Sequence, residues 1–318
     1  WIERPSSMVR ELFGVEPDLW QAEVLDAFPH NQRIAMQACR GPGKTTVLAW
    51  LAWNFLLTRM NPNIAATSVS GENLRDGLTK EMSKWHSKSP LLQSAFVVTT
   101  TRIFAKQDPL NWWMSFRTWP RSGDSGAQAQ TLAGLHADYI LFILDEVSDI
   151  PDAVMVAAEA ALSSCIEGHI LQAGNPTKLE GPLYRASRDR RPEGLWYVVE
   201  ITGDPDDPKR SPRVSVEWAL QQIKQWGPQD PWVIANVFGR FPPHSINVLI
   251  SEDEVRASMR RMYRPHELGY AAKIMGIDVA RQGLDMSVVA FRHGLQMMPM
   301  RRYRNVLDGN VGASIASR

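Results

Sequence analysis

The segment Ala38-Cys39-Arg40-Gly41-Pro42-Gly43-Lys44-Thr45 places two glycines, a lysine and a hydroxyl within eight residues. A phosphate-binding loop reads G-x-x-x-x-G-K-[ST]; this stretch matches at the second glycine, the lysine and the threonine, with Ala38 in place of the first glycine. Gly41 and Gly43 let backbone N–H groups turn inward around phosphate oxygens, at the positive end of a following helix. Lys44 would reach the β- and γ-phosphates and Thr45 would offer its hydroxyl to Mg²⁺. Arg40, Pro42 and Thr46 complete the candidate nucleotide-binding set. The bland alternative is a Gly-Pro-Gly turn beside a surface lysine.

A hundred residues later, Tyr139-Ile140-Leu141-Phe142-Ile143-Leu144 runs without a charged residue into Asp145-Glu146. This is the Walker B pattern. Asp145 would hold Mg²⁺ through water and Glu146 would polarise an attacking water as general base. Taken alone, it also suits a strand ending in a solvated acidic turn; together the two motifs imply that ATP is bound and hydrolysed. Two smaller features fit the same site. Trp20-Gln21 precedes the loop where many motor ATPases set an aromatic and a glutamine against adenine, although an ordinary amphipathic helix reads the same way. Gly174-Asn175 ends the next apolar run, where Asn175 could sense the γ-phosphate or simply form a turn.

The elements that must position these residues follow from periodicity. Asp18 caps a helix running to about Phe28, with Leu19, Ala22, Leu25 and Phe28 on one face. Arg33–Ala38 reads as a strand, Thr45–Leu57 as a buried helix, Asn63–Val69 as a strand and Glu72–Lys88 as a helix with Leu74, Leu78 and Trp85 in register. Ala95–Lys106 and Trp112–Trp119 are β-rich. Tyr139–Leu144, lacking polar alternation, suits a strand buried on both faces of a parallel sheet. Ala153–Leu162 follows as a helix and Gly168–Ala173 as a strand. The alternation predicts an α/β fold with a mainly parallel sheet. Periodicity then weakens, leaving loops around Asp204–Pro208 and Pro228–Pro231 and short helices at about Ser215–Trp226 and Trp232–Phe238. Phe241-Pro242-Pro243-His244 is the best linker candidate. Beyond it come a helix near Ser251–Tyr263 and three strands, Lys273–Ala280, Met286–His293 and Gln296–Arg304.

Composition excludes several classes. The 318 residues suit two domains. With 44% apolar and 22% charged residues, the chain is not mainly disordered. No apolar run approaches the ~20 residues of a membrane helix. Two cysteines, Cys39 and Cys165, make neither a disulfide scaffold nor a four-ligand zinc site, and they favour a reducing compartment. The twelve tryptophans read first as core packing. Trp1–Pro5 shows neither an initiator Met nor a signal h-region, as expected of a trimmed or internal start. The net charge of +1 conceals a split: residues 1–250 hold 24 Lys+Arg against 27 Asp+Glu, and residues 251–318 hold 11 against 7. A basic C-terminal part agrees with a nucleic-acid partner.

Taken together, these motifs resemble the large terminase subunit of tailed bacteriophages. The similarity lies in the arginine inside the loop (Arg40), the hydrophobic–Asp–Glu strand end and the strand–Gly–Asn downstream. It also lies in Leu132–Asp138 leading into Walker B and in Gly239-Arg240-Phe241-Pro242 at the junction. Past the linker, Gly276-Ile277-Asp278-Val279-Ala280-Arg281-Gln282-Gly283-Leu284-Asp285-Met286-Ser287 is similar to the first strand and hairpin of that family's RNase H-like nuclease. The resemblance spans about residues 15–295.

The resemblance implies a RecA/ASCE-type P-loop ATPase domain over 1–240, with a lid-like subdomain at about 195–240. A linker at 241–250 and the first part of an RNase H-like domain at 251–318 would follow. It further implies a motor that pumps double-stranded DNA into a procapsid through the portal protein, with a small terminase subunit as partner and a homo-oligomeric ring when active, in the cytoplasm of the infected host. Lys44, Thr45 and Asp145 would bind Mg-ATP, Glu146 would be the catalytic carboxylate and Asn175 would lie in the coupling motif. Asp278 would be the first metal-binding aspartate of the nuclease and Asp285 a second ligand, with Mg²⁺ or Mn²⁺.

The departures are Ala38 and Ala173. A two-metal site also needs about three or four carboxylates, and the later ones are expected beyond residue 318, so the chain as given is not expected to cut DNA; Asp308 reads as a turn residue. Independently of family, Asp278 between Ile277 and Val279 would be costly if buried unpaired, which a cation, Arg281 or Lys273 would relieve. Arg117 and Arg121 are candidates for a trans-acting finger or for plain phosphate contacts. The alternatives are a helicase or repair ATPase of similar core, which should show a second RecA-like domain, and a nucleotide-binding scaffold without turnover.

Overall fold

The strands that carry the motifs are apolar on both faces because helices cover both faces. In the computed structural model, which describes residues 1–118, 135–188, 194–243, 252–279 and 286–304, the chain divides into two units, Trp1–Leu249 and Ile250–Arg318. The first unit runs α1 (Pro5–Phe13), α2 (Leu19–Ala27), β1 (Arg33–Ala38), α3 (Lys44–Thr58) and β2 (Asn63–Thr67). A short helical turn and a π-helical stretch at Leu74–Thr79 lead into α4 (Lys80–Lys88). Next come α5 (Pro90–Ala95), β3 (Phe96–Val98), β4 (Arg102–Ala105), β5 (Trp113–Arg117), β6 (Tyr139–Asp145) and α6 (Asp152–Ala161). The unit closes with β7 (Glu167–Gly174), α7 (Gly181–Arg188), β8 (Tyr197–Ile201), α8 (Val216–Trp226) and α9 (Pro231–Asn236).

These strands form one sheet in the order β3-β4-β5-β2-β6-β7-β1-β8. All neighbours from β5 to β8 run parallel, and only β3 and β4 at one edge are antiparallel. The α/β, mainly parallel expectation holds. On one face, Ile34, Met36, Leu141, Ile143, Leu171 and Ala173 pack under α1–α4; on the other, Ala35, Phe142, Leu144 and Ile170 pack under α6 and α7. α3 lies deepest, with Trp50, Trp53 and Phe55 fully buried. A helix that is apolar all round, as this one is, belongs inside such a layer. Trp53 and Trp112 donate their indole N–H to the carbonyls of Met82 and Leu56, whereas the indole N–H groups of buried Trp20 and Trp50 have no hydrogen-bond partner.

β7 lies between β1 and β6, and the registers Gln37↔Gly174 and Asp145↔Ala173 align the carboxyl ends of all three strands. The phosphate loop, the Asp-Glu pair and Gly174-Asn175 therefore leave the sheet at one edge, where open α/β sheets bind ligands.

Several expectations need correction. Leu19 is not on the core face of α2; it is 90% exposed. Asp18 and Gln21 form a capping box that rolls the helix so that Trp20, Gln21, Val24, Leu25 and Phe28 face inward. The 72–88 helix is interrupted by its π-helical stretch, although Leu74, Leu78 and Trp85 are buried as expected. The third strand of the second unit is split, with Pro299, which lacks an N–H, in the gap. α1, α7 and β8 had no counterpart in the sequence reading. β8 pairs with β1, so Tyr197–Ile201 belongs to the main sheet. Only α8 and α9 form the small separate cluster, around Ala219, Val233 and Val237. Phe241 packs on Tyr184 with ring centroids 5.0 Å apart.

The second unit consists of α10 (Glu252–Arg260) and an antiparallel sheet of β9 (Lys273–Asp278), β10 (Met286–His293), β11 (Gln296–Met297) and β12 (Arg301–Arg304). β10 pairs with β9 on one side and with β11 and β12 on the other. Among the described residues, no helix is long and apolar enough to cross a membrane.

Candidate nucleotide-binding site

Between β1 and α3 the backbone takes two left-handed turns, Gly41 at φ +74° and Gly43 at φ +100°. A side chain at either position would be strained. Ala38, in the place of the usual first glycine, ends β1 with its backbone in register beside Ile201, so that position needs no glycine here. The loop is braced from outside by the end of the first unit. Cys39 N–H donates to the Ile201 carbonyl at 2.8 Å, Arg40 N–H to the Asn236 carbonyl at 2.8 Å, and Gln37 Nε2 to the Gly239 carbonyl at 2.7 Å. Gly239, at φ +67°, passes so close that an added Cβ would stand 2.3 Å from Ile201 O. Burial pushes the Cys39 thiol up to about 12, which leaves it an inert packing group.

The three motifs converge. Lys44, 7% exposed, donates from Nζ to Asn175 Oδ1 at 3.2 Å and stands 3.9 Å from Glu146 Oε1. Thr45 Oγ1 donates to Asp145 Oδ2 at 3.2 Å. Asn175 Nδ2 donates to the Ala38 carbonyl at 2.9 Å, and Ser148 Oγ donates to the Asn175 carbonyl. A cavity of about 350 Å³ opens between Arg40, Gly41, Lys44, Glu146, Asn175 and Asn236. At the start of α3, the first N–H groups have no intrahelical partner. The wall of the cavity combines the loop residues Arg40 and Gly41 with a lysine, a carboxylate and an amide.

Burial, reinforced by Glu146 and opposed by Lys44 and Thr45, raises the Asp145 carboxyl to about 6. A hard cation held between Thr45 Oγ1 and Asp145 would restore the charge. Glu146 sits at φ 54°, a left-handed conformation rare outside glycine, with its side chain 43% exposed toward the cavity. Strain of this kind concentrates at functional sites.

Other site expectations fall elsewhere. The Thr46 hydroxyl donates to Glu81 Oε1 at 2.8 Å on α4. Gln21 is fully buried beside Gly43. Arg117 ends β5 with its guanidinium 5.7 Å from the Trp113 ring. Asp278 is exposed at the end of β9, so the cost of burying its charge does not arise. Among the described residues, no cluster of three or more His, Cys, Asp or Glu is placed to hold a metal. Arg121, Arg281, Asp285 and Asp308 lie outside the described residues. Sequence reasoning missed Ser148, two residues after Glu146, and Asn236 and Arg213, which come from distant segments without a local signal. It noted Gly239 only through the family resemblance.

No family model matches the chain. It is 27% identical over 291 residues to the probable terminase large subunit of Enterobacteria phage P7, covering 87% of this chain and 56% of that protein. The chain thus spans little more than half the length of that curated relative. Among solved structures it is similar to the large terminase of a thermophilic bacteriophage, at TM-score 0.56 and 13% identity over 95% of this chain and 74% of that one. That thermophilic-phage protein is also known in complex with ADP and with ATP-γ-S. The HK97 bacteriophage large terminase matches at TM-score 0.57 and 16% identity, covering 91% of this chain and 64% of that one. The ATPase domain of the Thermus phage P74-26 large terminase matches at 0.54 and 18%, over 75% of this chain and 99% of that domain. The chain is thus similar in sequence to the phage P7 protein and in fold to the phage large terminases.

Proposed function

We propose that this chain is the ATP-hydrolysing motor part of a phage DNA-packaging machine. The observation that carries the reading is the meeting of three strand ends, with Lys44, Glu146 and Asn175 lining one cavity and Thr45 bonded to Asp145 next to them in the chain. The ligands of the thermophilic-phage relative, ADP and ATP-γ-S, point the same way.

In this reading the loop N–H groups and Lys44 hold the triphosphate, while Gln21 lies toward the base. Thr45 and Asp145 would hold Mg²⁺, which would supply neutralising charge for the phosphates. Glu146 takes the proton of the attacking water. Asn175, bonded to Lys44 Nζ and to Ala38 O, would register whether the lysine has turned to a phosphate. Arg40 is exposed at the cavity mouth, where it would meet phosphate charge.

Double-stranded DNA is the inferred track, the portal and procapsid the docking target, a small terminase subunit the partner and a homo-oligomeric ring in the host cytoplasm the working form. Asp278 and Asp285 would be the first carboxylates of a metal-dependent endonuclease. The test is phosphate release from ATP with and without linear double-stranded DNA at low salt. Hydrolysis that DNA stimulates, with the stimulation fading as salt rises, is expected. Absence of hydrolysis under both conditions would refute the reading.

A further inference from the structure

Two turns leave the sheet side by side at the cavity. After β6, Val147–Asp149 forms a 3₁₀ turn in which the Asp149 N–H donates to the Glu146 carbonyl at 3.4 Å. After β7, the Thr177 N–H donates to the Asn175 carbonyl at 2.8 Å, and Ser148 Oγ bonds that same carbonyl from the neighbouring turn. Asp149 and Thr177 both line the cavity that Lys44 and Glu146 line. The next residue, Lys178, closes the two turns together: its Nζ lies 2.5 Å from Asp149 Oδ1.

This ion pair has no part in the chemistry assigned so far, and its place in the charge balance is specific. The cavity lining carries two cations, Arg40 and Lys44, and two carboxylates, Glu146 and Asp149. Glu146, the inferred base, marks the end where a γ-phosphate would lie. A second carboxylate three residues on repels that phosphate unless a cation offsets it, and Lys178 is the cation in contact with it. The lysine side chain is 46% exposed and the aspartate 51%. Ion pairs so open to water contribute little to stability, so this one exchanges partners readily. A lysine ammonium on its flexible stem is suited to such an exchange.

We propose that Lys178 is a further phosphate-binding residue of this site, paired with Asp149 in the absence of a γ-phosphate and transferred to the γ-phosphate when ATP binds. The proposal rests on the nucleotide-site reading above. It gives Asp149 a competing role: the aspartate and the γ-phosphate draw on one ammonium, and the turn after β7 follows whichever holds it.

Calorimetric titration with ATP-γ-S and with ADP, which lacks the terminal phosphate, tests it. Lys178→Ala is expected to weaken ATP-γ-S about five- to tenfold and to leave ADP unchanged. Asp149→Asn, which frees the lysine, should strengthen ATP-γ-S about two- to fivefold, again without effect on ADP. That gain should vanish when Asp149→Asn is combined with Lys178→Ala. A pair that only braces the two turns would make both single variants change affinity in the same direction, which overturns the proposal. So would a gain that persists in the double variant, since it would come from relief of repulsion alone, and so would equal effects on ADP or no effect on ATP-γ-S. A wild-type chain that binds neither ligand would overturn the nucleotide-site reading, a result distinct from a wild-type chain that binds both while the variants fail to separate them.

Discussion

Lys44 and Asn175, 131 residues apart, are joined by a 3.2 Å hydrogen bond, and the same asparagine amide donates to the Ala38 carbonyl at 2.9 Å. One side chain thus ties the end of β7 to the end of β1 and to the lysine that would grip the phosphates. Asn175→Asp replaces the donor to Ala38 and puts a charge beside Lys44. A charge-assisted bond is worth about 1.5–3 kcal/mol, so ATP-γ-S affinity is expected to fall about ten- to a hundredfold. Asn175→Ala frees Lys44 and should change affinity only a few-fold. Titration of both variants checks this, and equal effects would contradict it.

Gly239 is required by position. A Cβ there would lie 2.3 Å from Ile201 O and 2.8 Å from Cys39 N, at φ +67°. Overpacking and left-handed strain together predict that Gly239→Ala costs about 2–4 kcal/mol. Gly14→Ala is the control: φ is +63° with nothing within 4 Å, so only the backbone cost of about 1–2 kcal/mol applies. Denaturant titrations of the two variants should separate them in that order.

Glu146 stands at φ 54°, and relieving that conformation with glycine should add about 1 kcal/mol of stability. The same change removes the inferred base. Glu146→Gly is therefore expected to raise the melting temperature while abolishing turnover, which calorimetry and an ATPase assay measure side by side.

At the far end of the sheet, Glu167 accepts from Arg59 at 2.6 Å and meets His169 Nε2 at 2.9 Å. Burial raises its carboxyl, but His169 and Arg59 outweigh that and pull it down to about 2. A folded value below the unfolded one means that the stabilisation is complete above pH ~4.5 and is lost as pH falls toward ~2. With the carboxylate partly exposed, roughly 1–2 kcal/mol is at stake. Acid unfolding of Glu167→Gln should show a shallower dependence across that window than wild type.

The residues of the loop, Asp145-Glu146 and Asn175 were legible because strands buried on both faces leave unbroken apolar runs and the motifs sit at their ends. β8 was not legible: it has five residues, lies at a sheet edge and carries exposed Glu200. α7 opens with Gly181-Pro182 and masks its helical pattern. The Leu19 error came from counting apolar spacing without the roll that the Asp18–Gln21 box imposes. Arg213, Asn236 and Gly239 act on the loop only because the chain returns to β1 through β8, a tertiary fact without local periodicity.

In the proposed mechanism one site both binds and hydrolyses ATP, with Glu146 acting on water and Lys44 on phosphate. Steady-state hydrolysis and ATP-γ-S binding, measured together for wild type, Glu146→Gln and Lys44→Ala, test it most directly. Glu146→Gln is expected to bind like wild type but to turn over about 10²–10⁴-fold more slowly, and Lys44→Ala to lose binding. A Glu146→Gln chain that hydrolyses ATP as fast as wild type would contradict it.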